Sequence, residues 1–260
     1  MQFDLHHIRN YRATLLGRGP MDYVLNRIRR DLEQRIERMS GVFECRLEHG
    51  LVIDFENGDL TFDCSSRENR SLLEAGRVGQ SYLQEFDHES LQYVVIHLQM
   101  AWLDFESLLS EVRRVLKPGG VVFFASLGPD TLGELAYAWA QVDQHPHVHP
   151  FVDMHFVGDA LARLGFSQPI VDTDWLTVEY DNVGLLLDDL KSEGFVNLLP
   201  DRRKTLTGKA RMEAFRQELV ESFSRNGTLP INFEIIFGFA RIPTPEATVR
   251  VNAPVYNSQD

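Results

Sequence analysis

The sequence is poor in several features that would assign a class outright. It has only two cysteines, Cys45 and Cys64, too few for a disulfide framework or a Cys-rich metal site. No apolar run approaches the roughly 18 residues that span a bilayer. The N-terminus, MQFDLHHIRN, mixes acid, histidine and arginine and has no apolar stretch of the kind a signal peptide needs. Positive charge is scarce. Lys and Arg total 26 against 38 Asp and Glu, a net charge of −12, which argues against a protein that tracks nucleic-acid phosphates. No segment repeats and none is low in complexity. A cytoplasmic protein is expected, outside membranes and without nucleic acid. Its 260 residues, 43% of them hydrophobic, suffice for one large domain or two small ones.

The spacing predicts a helix from about Asp22 to Met39, with Met21, Leu25, Ile28, Leu32, Ile36 and Met39 on one face and Ser40-Gly41 at its end. Five arginines along it read as a solvated face with i,i+4 ion pairs. From Leu91 the pattern alternates. Tyr93–Ile96 is a buried strand, and a helix from Phe105, capped by Asp104, runs to Leu116 and stops at Pro118-Gly119-Gly120. Val121–Ala125 is a second continuous apolar strand. Strand, helix, strand of this kind is the βαβ unit of a parallel sheet. Helices follow around Leu132–Trp139 and Phe156–Leu164, then a strand Val171–Tyr180, two more helices, and a last central strand Ile231–Ala240. The tail after Arg241, with Pro243, Pro245 and Pro254, reads as loose.

The stretch ESLLSEVRRVLKPGGVVFFASLG resembles the helix, KPGG turn and strand of class I S-adenosylmethionine-dependent methyltransferases. GPDTLGELAYAWAQVDQHPHVHPF, with Trp139, Asp143, His147 and Phe151, is similar to the malonyl-acyl-carrier-protein O-methyltransferases of biotin synthesis. So are DRRKTLTGKARM and LPINFEIIFGFA. The segment DYVLNRIRRDLEQRIERM is similar also to a related assembly factor of mitochondrial complex I. The resemblance implies an open, mostly parallel α/β sheet of the class I methyltransferase type, with N-terminal helices and a helical lid. On this basis residues 1–45 are an N-terminal helical segment and 46–240 the methyltransferase-like domain. A helical insertion falls at about 182–228, and 241–260 are a tail.

One segment departs from that pattern. In the aligned stretch LVIDFENGDLTFDC the family's glycine-rich cofactor loop is reduced to Gly58, with Glu56 at a position where a side chain crowds a ligand. A nucleotide-type site needs an acid about 20 residues beyond the turn, after an intervening helix. Here Asp63 follows Asp54 by nine residues. The residues themselves read as two β-prone runs, Leu51–Phe55 and Leu60–Cys64, joined at Asn57-Gly58, a strong hairpin signal. The first βα unit is therefore expected to be a β-hairpin. The cofactor motif is degenerate, no S-adenosylmethionine is expected to bind, and the protein reads as a pseudoenzyme that binds or assembles with a partner. The alternative is an active S-adenosylmethionine-dependent O-methyltransferase on a malonyl thioester.

Four histidines, His145, His147, His149 and His155, cluster near Asp143 and Asp153, but Pro146 and Pro150 break any regular element that would align them on a metal. Arg202, Arg203 and Lys204 form the main basic concentration. They are either a solvated loop or a dock for an acidic partner such as acyl carrier protein. Trp139, at helical spacing, is either core or a wall of the substrate pocket, and His147 is a candidate beside it. Asp172 and Asp174 alternate to one face of a strand. No Ser-His-Asp or Cys-His arrangement has a supporting motif such as G-x-S-x-G, so the sequence nominates no catalytic residue.

Overall fold

The computed structural model describes residues 23–42, 50–54, 60–61, 83–98, 100, 104–193, 195, 197, 199 and 201–244. Expectations for Cys45, Cys64, Glu56, Asn57, Gly58, Asp63, the first 22 residues and the tail from 245 lie outside them. The described elements are α1 (Tyr23–Val42), β1 (Gly50–Asp54), β2 (Leu60–Thr61), β3 (Leu91–His97), α2 (Phe105–Val115) and β4 (Leu116–Leu127). There follow α3 (Gly133–Ala140), α4 (Met154–Arg163), β5 (Ser167–Tyr180), α5 (Val183–Ser192), α6 (Lys209–Phe223) and β6 (Leu229–Arg241).

The six strands form one open sheet in the order β2-β1-β3-β4-β6-β5. β1, β3 and β4 pair in parallel, with Ile53 beside Ile96 and Ile96 beside Phe124. β6 runs antiparallel to both β4 and β5, and β2 runs antiparallel to β1, so the sheet is mixed. Alternation along β3, β4 and β6 sends side chains to two cores. Val95, Phe123, Phe237 and Phe239 pack beneath α1, α3, α5 and α6; Ile96, Val122, Phe124 and Ile236 pack beneath α2 and α4. The result is a three-layer α/β/α domain.

Local signals explain most boundaries. Asp104 and Asp153 cap α2 and α4, each accepting from the backbone N–H of Ser107 and His155. Gly165 ends α4 at a φ of +77°, a conformation that L side chains rarely adopt. Gly238 is required for packing: a Cβ there would lie 1.9 Å from Cζ of Phe124, the ring directly opposite on β4.

Two expectations are corrected. The KPGG segment is not a turn standing between helix and strand. Leu116 is already extended and pairs with Leu91, and residues 117–120 are accommodated where the register shifts, before Tyr93 meets Val121. The excess backbone is held by Gly119 N–H donating to Ile242 O (3.0 Å) and Ile242 N–H donating to Gly120 O (2.8 Å). By the same bonds the start of the tail is not loose, because Ile242 is buried.

Candidate functional site

Ligands of open α/β sheets bind beyond the carboxyl ends of the parallel strands, and two backbone strains sit there. Leu98, just past β3, and Leu132, before α3, are buried non-glycine residues with φ of 59° and 58°. Each is held by its amide: Leu98 N–H donates to Ala125 O and Leu132 N–H to Asn232 O, both at 2.9 Å. Between β4 and α3 the chain wraps around Glu234, whose carboxylate accepts from Asp130 N–H at 2.9 Å. Thr131 ties the same loop to β6 through its hydroxyl, which donates to Glu234 O.

Beyond this loop α3, α5, α6 and residues 147–151 enclose a cavity of about 470 Å³. Its apolar wall includes Leu135, Trp139, Phe151, Leu190, Phe195 and Met212, with Lys191, Asp188 and Arg216 also in the lining. The Trp139 indole is sandwiched. The His147 imidazole stacks on one side at 3.8 Å and 4°, and the Phe215 ring on the other at 4.2 Å and 11°. Trp139 is thus both core and pocket wall, since it is 8% exposed and lines the cavity.

His147 is oriented from behind. Its Nε2 lies 2.9 Å from Asp143 Oδ1, and the same oxygen accepts from His145 N–H at 3.0 Å. Arg203 Nε stands 3.5 Å from the other Asp143 oxygen. Burial pulls the Asp143 carboxyl upward, but the His145 amide, His147 and Arg203 outweigh it and leave the group below its ordinary value. Asp143 is therefore an anion at neutral pH. A second buried polar pair braces the cavity's far wall. Tyr180 OH donates to Asp189 Oδ2 at 2.6 Å, with burial first and that carboxylate second pushing the phenol well above its usual range.

The five singled-out residues separate. Trp139 and His147 meet at the cavity, and Arg203 reaches the same cluster through Asp143 instead of standing free in a basic patch. Arg202 turns back on its own loop, donating to Leu199 O, and only Lys204 of the three is exposed. Reversing Arg203 would set a carboxylate against Asp143, so a docking surface can draw only on Arg202 and Lys204. The histidines diverge: His155 binds Asp153 at the start of α4, away from His147. Among the described residues no group of three His, Cys, Asp or Glu is placed to hold a metal. Asp172 and Asp174 face α1, where Arg35 bridges both and lies 4.1 Å over the Phe237 ring. Phe215, Met212 and Arg216 complete the site from α6, and no local signal in the sequence shows what that helix faces.

Toward the other edge of the sheet lies the strand after which a class I methyl-donor site would be built. A class I methyl-donor site needs a turn and then a helix after the first strand. Here β1 and β2 are joined by the five residues 55–59 and run antiparallel, Val52 opposite Thr61 and Ile53 opposite Leu60. Five residues hold little more than one helical turn. The described part of the expected hairpin, Val52 and Ile53 against Thr61 and Leu60, is antiparallel, and its five-residue connection is shorter than a helix-borne cofactor site needs.

The family model described as a methyltransferase domain matches residues 48–124, from just before β1 into β4. Within that class the chain resembles malonyl-acyl-carrier-protein O-methyltransferases. It is 41% identical over 164 residues to enzyme 1 of that name from Coxiella burnetii, covering 63% of this chain and 57% of that protein. It is 40% identical over 157 residues to the one from Gallionella capsiferriformans, covering 60% and 54%. The one from Nitrosospira multiformis is 35% identical over 188 residues, covering 71% and 59%. The chain thus spans little more than half the length of the curated relatives it matches. Among solved structures, a SAM dependent methyltransferase from Archaeoglobus fulgidus covers 86% of this chain and 95% of its own, at 16% identity and a TM-score of 0.38. No described helix is long and apolar enough to cross a membrane.

Proposed function

We propose that this protein is a relative of malonyl-acyl-carrier-protein O-methyltransferase that has lost S-adenosylmethionine binding while keeping the acyl side of the site. It acts as a cytoplasmic binding or assembly module, taking an acyl group into the cavity beside Trp139 and His147. Arg202 and Lys204 are then the cations that an acidic carrier protein meets, and residues 46–240 are the working domain with its helical insertion at 182–228. The observation that carries this reading is the antiparallel β1–β2 hairpin with its five-residue connection, too short to hold the helix whose N-terminus would meet a methyl donor's carboxylate or ribose. The names of the curated relatives favour a second reading, an active O-methyltransferase on a malonyl thioester.

Isothermal titration separates the two. No heat of binding is expected with S-adenosylmethionine at millimolar concentration. A dissociation constant in the micromolar range overturns the proposal and favours the enzyme.

A further inference from the structure

We propose that the Asp143–His147 pair is a general-base dyad that lets this cavity hydrolyse acyl esters and thioesters with water. The proposal rests on the cavity being the acyl site, and it adds a reaction that needs no methyl donor.

The arrangement supplies what a water-activating imidazole requires. Nε2 is engaged by the buried carboxylate of Asp143 at 2.9 Å, so that nitrogen carries the proton and Nδ1 presents its lone pair. Among the described residues no other hydrogen-bond partner of His147 is found, and the ring lines the cavity. Its plane is held against the Trp139 indole, which fixes the direction of the free edge. Asp143 is itself held by the His145 amide and faced by Arg203. The remaining charged groups around the cavity are Asp188 and Lys191 on α5 and Arg216 on α6, with His149 on the same loop. A structural histidine serving only to pin residues 141–153 would need neither the cavity nor a free ring edge.

The step balances without redox chemistry. The water oxygen attacks the acyl carbon while its proton passes to Nδ1. The C–S or C–O bond then breaks, and the imidazolium returns the proton to the departing thiolate or alkoxide. The products are a carboxylic acid and a thiol or an alcohol.

The test uses the full chain with two probes, S-butyryl-N-acetylcysteamine and p-nitrophenyl butyrate, which separate thioester from ester preference. Thiol or nitrophenolate release is expected above the buffer rate for at least one of them. His147→Gln and Asp143→Asn should each lose about 100-fold, the lower range for a positioned general base. A wild-type rate equal to buffer, or a folded His147→Gln variant as fast as wild type, overturns the inference. Should both variants fail to fold, acylation of the wild-type histidines with diethyl pyrocarbonate decides, since a rate that survives it also overturns the inference. Saturation-transfer NMR of the thioester reads binding separately. Binding without turnover removes the dyad's role and leaves the acyl cavity standing, whereas no binding removes both.

Discussion

The two edges of the sheet are built very differently. At one, β5 runs for 14 residues and pairs with β6 from Ser167 through Tyr180, with a single register shift between Ser167 and Ile170. It is gripped from one face by α1 through Arg35 and Asp172, and joined to α4 by Thr173 Oγ1, which lies 2.9 Å from Met154 Sδ. At the other, β2 is two residues long and meets β1 at two positions. The cavity with Trp139 and His147 lies toward the first edge, and the position of a methyl-donor site lies toward the second. The cavity side of this fold is thus framed by long ladders and stacked rings, while the β1–β2 edge rests on a two-position pairing. Long-range packing at one edge does not require an equally long ladder at the other.

The largest test of that contrast is Phe215→Ala. Removing a fully buried ring that also supports Trp139 should cost about 3–5 kcal/mol in urea unfolding. It should also release the imidazole–indole stack, visible as a loss of near-ultraviolet circular dichroism. A cost under about 1 kcal/mol would mean that the cap over the cavity is not part of the main core. Arg35→Ala comes next. Losing a half-exposed ion pair and a cation–π contact should cost about 1 kcal/mol, and the cost should shrink as salt is raised. No change would mean that β5 is held by its ladder to β6 alone. The smallest perturbation is hydrogen exchange in the native state. Amides of β6 and of β5 facing it should be the slowest, and those of β1 and β2 among the fastest. Equal protection at both edges would erase the comparison.

Much of the fold was legible from local pattern. The apolar runs at Tyr93–Ile96, Val121–Ala125 and Ile231–Ala240 became the adjacent inner strands β3, β4 and β6, because strands buried on both faces need unbroken apolar sequence. Asp104 and Gly165 marked helix ends by chemistry confined to one or two turns. The hairpin was legible for the same reason: a two-run pattern around Asn57-Gly58 is a short-range signal. The antiparallel insertion of β6 between β4 and β5 was not, since strand order depends on partners as remote along the chain as Val121 and Arg241.

The site divides along the same line. Its sequence alone determined that Trp139, Asp143 and His147 stand close along the chain and that Arg202, Arg203 and Lys204 concentrate charge. Only the tertiary structure decided that Arg203 leaves that patch to face Asp143, that Asp172 and Asp174 serve an ion pair with α1, and that Phe215 closes the stack on Trp139. The physical reason is range. Capping, turn formation and periodicity act over a few residues and are written in composition and spacing, whereas the partner of a side chain is chosen by packing between segments that only the fold brings together.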